Sequence, residues 1–206
     1  MQITDPTQAV IYLGSEMVRQ LVLVASAFSA FQPKRLGRFS IERLQRHSLA
    51  VGGLARRIAM SLELSAAAVD YAFVGGLLHD VGKLLLACNY PERYDDAMRL
   101  ARQKGILDQM AEVQVFGTTH AEVGAYLLWL WALPDPVTEV VLRHHEFLAA
   151  PDAVSRPAVA VHVADALING RLEPDAVACL TAIGLSDKLA GWQQLSEDAM
   201  RETART

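Results

Sequence analysis

Cysteine is scarce in this sequence, and its scarcity excludes some classes of protein. The 206 residues contain two cysteines, Cys88 and Cys179. Two thiols this far apart match neither the paired spacing of a zinc site nor a redox C-x-x-C motif. A small disulfide-rich scaffold is therefore excluded, and two buried thiols in a reducing cytosol are the simpler interpretation.

Long apolar runs and an excess of positive charge are also missing. The longest uncharged apolar stretches, near residues 21–31 and 125–133, are too short to cross a bilayer. The first residues show no basic segment ahead of an apolar one, so no secretion signal is indicated. The formal net charge of -4 argues against general nucleic-acid binding. We expect a cytoplasmic protein with neither a membrane nor a general nucleic-acid partner.

Strand-like alternation of apolar and polar residues is absent, whereas helix signals recur along the whole chain. Apolar residues make up 52% and charged residues 20%, which is the composition of an ordinary globular protein. The sequence therefore predicts an all-α fold, a single compact multi-helix domain over residues 1–206 without a significant sheet. Two helices are expected within residues 5–31, and the tail after residue 200 is expected to fray.

Capping residues mark the starts of several predicted helices. Ser40 can cap a long helix, and Ser65 can begin the next one. The helix begun by Ser65 is predicted to run without a break through GGLLHDVGKLLL, residues 75–86. Thr119 and Glu122 have the spacing of a capping box. The connections between these helices are short, which favours one core spread along the chain.

The stretch GGLLHDVGKLLL places His79 and Asp80 side by side among apolar residues. Two ionisable groups in an apolar helix are costly unless something compensates them. Taken alone, the pair is either a hydrogen-bonded couple inside a core or one part of a metal site. The other histidines and aspartates of the chain distinguish these two interpretations.

Histidines recur at similar positions elsewhere in the chain. The sequence contains six of them: His47, His79, His120, His144, His145 and His162. The adjacent His144 and His145, like His79 and Asp80, are predicted to lie within an apolar helix, and Asp165 interrupts a further one. In a helical bundle, inward-facing ligands from several helices converge on one point. Imidazole together with carboxylate suits zinc, iron, manganese, cobalt or nickel.

The order of these residues resembles the HD superfamily of metal-dependent phosphohydrolases, whose minimal signature is H…HD…D. The matching positions are His47, His79, Asp80 and Asp165. The further histidines His120, His144 and His145 resemble the binuclear pattern of the HD-GYP phosphodiesterases, which open cyclic-di-GMP. The stretch LLHDVGK, including Lys83, is also similar to that group.

The resemblance implies a centre of two divalent transition metals: iron, manganese or zinc. The first metal would be held by His47, His79, Asp80 and Asp165. The second would share Asp80 and would also be held by His120, His144 and His145. Lys83 would lie beside the substrate phosphate and would be catalytic together with Asp80.

The glycine-rich GYP loop that follows the histidine pair in HD-GYP proteins is missing here. Other stretches, among them QAVIYLGSEMVRQLVL and HAEVGAYLLWLWALPDPVTEVVLRHHE, resemble the HDOD branch, the HD-related output domains of bacterial signalling. This second resemblance covers about residues 8–170. The helices that usually open an HDOD domain are not recognisable, which indicates a shortened member or a fragment of a longer regulator.

Three functions remain open from the sequence. The first is a phosphohydrolase or phosphodiesterase acting on a nucleotide or cyclic dinucleotide, with Arg43, Arg46 and Lys83 binding the substrate. The second is a signalling module that binds a protein partner and has a structural metal. The third is an inert core in which the polar groups satisfy one another. Arg43 and Arg46 could equally be a solvated helix start, His162 could be a packed core residue, and a homodimer is left open.

Overall fold

A long helix, α1 (Ile41–Ser61), is the first whose bounds are described, and it begins where the capping residue Ser40 predicts. The computed structural model describes residues 39–146 and 154–203, together with Val22. The two helices predicted within residues 5–31 therefore lie outside the described residues, apart from that one position. The Ser40 side chain accepts a hydrogen bond from the backbone N–H of Arg43, at 3.2 Å. The helix ends before Glu63, whose φ of 57° is left-handed.

The predicted continuous helix through residues 75–86 is wrong, because it is broken at the histidine–aspartate pair. Helix α2 spans Ala66–Leu78 and helix α3 spans Val81–Asn89. The ring of His79 turns back to the Gly76 carbonyl oxygen, with 2.8 Å between Nδ1 and that oxygen. Asp80 has φ −101° and ψ 10°, outside helical geometry. The break directs both side chains into the interior at one point.

The middle of the chain forms three shorter helices with glycine ends. These are α4 (Pro91–Lys104), α5 (Asp108–Phe116) and α6 (His120–Leu130). Helices α4 and α5 end at Gly105 and Gly117, both with positive φ. The predicted capping box is confirmed at the start of α6, where the Thr119 side chain and the Glu122 side chain each bond the other residue's backbone.

The last part of the described chain contains four α-helices and one short 3-10 helix. The α-helices are α7 (Asp135–Arg143), α8 (Arg156–Ile168), α9 (Pro174–Ala182) and α10 (Leu189–Thr203), and the 3-10 helix is Ser186–Lys188. His144 and His145 lie in the turn after α7, so their predicted place inside a helix is wrong. The all-α prediction is confirmed, since no strand occurs in residues 39–146 or 154–203.

Two main apolar clusters hold these helices together. The larger one joins α1 to α8 and includes Leu54, Ile58 and the almost fully buried Trp192 of α10. The second joins α2, α6 and α7 and includes Leu78 and Leu128. The break between α2 and α3 lies where the helices of the two clusters meet. Side chains from α1, α6 and α8 can therefore meet the histidine–aspartate pair at this break.

Close helix contacts depend on glycine at two positions. A Cβ atom built on Gly76 of α2 would lie 2.7 Å from the Gly52 Cα of α1. A Cβ atom on Gly82 of α3 would lie 1.9 Å from the His120 carbonyl oxygen at the start of α6. Only glycine permits such backbone approaches. These two contacts set how closely α2 packs against α1 and how closely α3 packs against α6.

One helical stretch, residues 66–89, has the length and composition of a membrane span. Its most apolar window is 72% buried inside the domain, and the stretch is divided between α2 and α3. The core helix of a folded domain satisfies the same criteria, so the stretch is weak evidence for a membrane. The cytoplasmic location stays a prediction.

Candidate metal centre

Four of the predicted ligands meet on one side of the helix break. The His47 Nε2 atom lies 2.9 Å from Asp165 Oδ1, and His79 Nε2 lies 3.7 Å from the same oxygen. The Asp80 Oδ2 atom is 3.5 Å from His79 Nε2 and 3.9 Å from His47 Nε2. His47, His79 and Asp80 each offer a ligand atom, all within 4.8 Å of one another. We name these residues, with Asp165, the first half-site.

The other predicted histidines meet on the opposite side of Asp80. His120, His144 and His145 offer ligand atoms that also lie within 4.8 Å of one another, and we name them the second half-site. The His120 and His145 Nε2 atoms are 3.1 Å apart. Asp80 Oδ1 lies 3.3 Å from His120 Nε2, whereas Asp80 Oδ2 faces the first half-site. One carboxylate thus presents a different oxygen to each group.

Two of the histidines are held by main-chain carbonyl groups. The Nδ1 atoms of His79 and His144 lie 2.8 Å from Gly76 O and 2.7 Å from Val141 O. Because a carbonyl oxygen only accepts, each Nδ1 carries the proton and each Nε2 keeps its lone pair. Both Nε2 atoms, like Asp80 Oδ1, are buried without a hydrogen-bond partner among the described residues. Buried acceptors of this kind fit a divalent cation that they could bind together.

Glu112 of α5 belongs to the same site, although no sequence pattern selects it. Its side chain is fully buried. The Oε2 atom accepts from His120 twice, from the backbone N–H at 2.8 Å and from Nδ1 at 2.7 Å. Eight residues separate the two positions, and the glycine turn at Gly117 brings α5 back beside the first residue of α6. Only the tertiary fold reveals this pair.

The charges of the site suit metal ligands. Burial alone would raise the pKa of Asp80, but His79 and Lys83 hold it well below its usual range. Burial likewise opposes ionisation of Asp165, yet the neighbouring His47 and His79 side chains hold its pKa well below its ordinary value. Burial and neighbouring imidazoles lower the pKa of His144 far below its ordinary value. Anionic carboxylates and neutral imidazoles are the forms that bind metals.

We expect the metal-free protein to lose stability when the pH falls from about 7.5 to about 5.5. Burial lowers the folded-state pKa of His144, His145 and His162, so in this window the unfolded chain binds protons that the folded chain does not. Burial alone would lower the pKa of His79 too, but Asp80 raises it above its ordinary value. His79 therefore stabilises the fold at low pH and partly offsets the loss.

The net loss should be about 1–3 kcal/mol, because three lowered histidines oppose one raised histidine at about 1.4 kcal/mol per pH unit each. Urea unfolding of chelator-treated protein at the two pH values measures it. Equal or greater stability at the lower pH would show that the buried histidines of the folded protein accept protons freely.

A cavity of about 130 Å³ opens beside the second half-site. Its wall includes Lys83, His145 and Asp165, together with Leu107, Gln109 and Arg171. The Lys83 Nζ atom donates to Asp80 Oδ2 at 2.9 Å, and burial alone would lower the pKa of Lys83, but Asp80 holds it above its usual range. Lys83 is therefore a charged group in the wall of this cavity.

The remaining predicted residues lie around this site in different ways. His162 lines the cavity, and its Nδ1 atom donates to the His144 carbonyl oxygen at 2.8 Å, so it supports the turn that carries the histidine pair. Arg43 and Arg46 lie on the first turns of α1 with exposed side chains. Neither arginine is among the described residues that line the cavity. Their role in substrate binding stays a prediction.

The helical fold and the histidine–aspartate arrangement define an HD-type domain. The chain belongs to the HDOD domain family, whose sequence profile matches residues 1–147. The chain is also 30% identical over 81 residues to an uncharacterised protein of Treponema pallidum. That match covers 39% of this chain and only 16% of the relative. The predicted membership of the HDOD branch is thus confirmed.

Solved structures show the same fold. An HDOD domain protein of unknown function from Geobacter sulfurreducens has 22% identity and a TM-score of 0.69, covering 97% of this chain and 76% of that one. A protein from Shewanella amazonensis, provisionally assigned as a phosphohydrolase, has 20% identity and a TM-score of 0.72, covering 96% and 73%. The MmoQ response regulator of Methylococcus capsulatus has 28% identity and a TM-score of 0.57, covering 93% and 75%.

Proposed function

We propose that this HDOD domain is a metal-dependent phosphohydrolase with a binuclear centre, acting on a phosphate ester of a nucleotide or on a cyclic dinucleotide. One observation carries the proposal: Asp80 lies between two groups of histidines and presents one oxygen to each. Seven residues would hold the two metals: His47, His79, Asp80, His120, His144, His145 and Asp165. Iron, manganese and zinc all suit such a set of imidazoles and carboxylates.

The residues of the chain would divide the work with the metals. Two divalent metals, when bound, supply charge stabilisation to a phosphoryl group and activate water at neutral pH. Asp80 would contribute one carboxylate oxygen to each half-site. Lys83 would face the phosphoryl oxygens from the cavity wall, where a partly buried cation stabilises developing negative charge. Arg43 and Arg46, on the same helix as His47, would meet the outer part of the substrate.

A second candidate function is a non-catalytic signalling module with a structural metal. Lys83 is already engaged by Asp80, which reduces its freedom to reach a substrate. The 28% identity to a response regulator over 93% of this chain supports a regulatory setting as well. In this alternative the site would stiffen the junction of the helices, and a signalling protein would be the partner.

Metal analysis combined with a lysine variant separates these candidates. We expect the purified protein to contain about two equivalents of metal and to hydrolyse a member of a panel of nucleotides and cyclic dinucleotides. The Lys83→Met variant should keep its metals and lose about 100-fold in kcat, because it lacks one stabilising cation.

Lys104→Met is the matched control, since Lys104 on α4 is exposed and bonds only Gln114 among the described residues. This control should retain both metals and full activity. A metal-free preparation that cannot be loaded with iron, manganese or zinc would contradict the metal centre. Full loading without hydrolysis of any panel member would favour the signalling module.

A further inference from the structure

Glu112 makes an unusual contact with the first residue of α6. One oxygen, Oε2, accepts both the backbone N–H and the ring Nδ1–H of His120, at 2.8 and 2.7 Å. The other oxygen, Oε1, is buried without a hydrogen-bond partner among the described residues. Burial would raise the pKa of Glu112, but His120 lowers it below the ordinary value. A fully buried carboxylate is thus retained beside a single histidine.

The contact distinguishes His120 from the other described histidines whose Nδ1 atom has a defined partner. The Nδ1 atoms of His79 and His144 donate to neutral main-chain carbonyls. The Nδ1 atom of His120 donates to a charged carboxylate, which is the stronger acceptor. A carboxylate in this position fixes the ring tautomer and makes the opposite nitrogen more basic. For His120 that opposite nitrogen is Nε2, which faces Asp80 and His145.

We infer that Glu112 is a positioning residue for the second half-site: it fixes His120 and thereby determines whether that half binds metal. The inference rests on the proposed metal centre. It adds that the two half-sites depend unequally on Glu112. Glu112 has no described contact with His47, His79 or Asp165 of the first half-site. Loss of Glu112 should therefore weaken one half and leave the other intact.

Two substitutions at this position separate charge from orientation. Glu112→Gln keeps an acceptor of the same shape and removes the charge, whereas Glu112→Ala removes both. Glu92→Gln is the matched control, because Glu92 is an exposed glutamate on the first turn of α4. Calorimetric titration of chelator-treated full-length protein with Mn²⁺ gives the two successive Kd values. NMR of histidine ring nitrogens in the metal-free protein gives the tautomer of His120.

Glu112→Ala should raise one of the two Mn²⁺ Kd values by about 10- to 100-fold and leave the other unchanged. Glu112→Gln should show a smaller rise, and the control none. His120 should keep its Nδ1–H tautomer in Glu112→Gln and become a mixture in Glu112→Ala. Glutamine keeps the shape of the buried side chain and an acceptor for His120. The Glu112→Gln variant therefore tests the inference even if the alanine variant is unstable.

Unchanged Kd values in both variants would overturn the inference, as would equal weakening of both halves. Wild-type protein that takes up none of Mn²⁺, Fe²⁺ and Zn²⁺ would overturn this inference and the proposed centre together. Wild-type protein that binds two Mn²⁺ without hydrolysing any phosphate ester would overturn the proposed activity alone. The Kd values and the tautomer would in that case still report on Glu112.

Discussion

Asp80→Asn is expected to remove metal from both half-sites at once. The two carboxylate oxygens face different groups, with Oδ1 3.3 Å from His120 Nε2 and Oδ2 3.5 Å from His79 Nε2. An asparagine replaces one of these oxygens with an N–H donor, which cannot bind a metal. The remaining amide oxygen can face one group only and carries no negative charge, so neither half-site keeps its anionic ligand. We expect the metal affinity of both half-sites to fall more than about 100-fold. This loss is larger than the one usually seen when a residue that only hydrogen-bonds a metal ligand is replaced.

Metal content after dialysis, measured together with phosphate-ester hydrolysis, tests this expectation. Asp70→Asn is the control, because Asp70 is a partly exposed aspartate on α2, the helix that precedes the break at Asp80. It should retain the metal and activity of the wild type, and circular dichroism should show both variants folded. Retention of one full equivalent by Asp80→Asn would show that Asp80 serves one half-site only.

Gly82→Ala is expected to destabilise the protein by more than about 3 kcal/mol. The added methyl group would overpack a contact made of rigid backbone atoms, which costs more free energy than a substitution on the surface. Its Cβ would lie 1.9 Å from the His120 carbonyl oxygen, 2.7 Å from the His120 carbonyl carbon and 2.9 Å from the Gly124 nitrogen. All three are backbone atoms of α6, so no side chain can move aside. Helices α3 and α6 must separate, and His120 shifts with them.

Gly53→Ala provides a matched comparison on α1. Nothing lies within 4 Å of a Cβ at this position. Alanine is favoured over glycine inside a helix by about 0.5–1 kcal/mol, so this variant should be slightly more stable than the wild type. Urea unfolding of both variants measures the difference. Similar midpoints for the two variants would mean that the contact between α3 and α6 adjusts without cost.

The features that the sequence predicted correctly are encoded locally. The capping of α1 by Ser40 and the capping box of α6 depend on residues three positions apart. The all-α class follows from apolar periodicity that recurs in each segment. The candidate ligands were selected by residue type and order, and the structure brings them into two adjoining groups. Their binding of metal stays a prediction.

The features that the sequence missed depend on tertiary contacts. The apolar surroundings of His79 and Asp80 suggested an unbroken helix, whereas the His79 ring takes the Gly76 carbonyl and the chain turns. Glu112 looked like one of many acids, because nothing local links it to His120. Periodicity reports which side of a helix is buried. Periodicity does not show which buried side chains are brought together by a turn such as the one at Gly117.

More than half of the 206-residue chain separates His47 from Asp165, although their side chains lie 2.9 Å apart. On the ribosome, the helix that carries His47 is therefore made long before the helix that carries Asp165. Contacts between such distant positions form late in folding, because a long loop must first close. The first half-site can be completed only after α8 has emerged and packed against α1. Metal uptake in this half is consequently tied to completion of the fold, so partly synthesised chains lack the full ligand set.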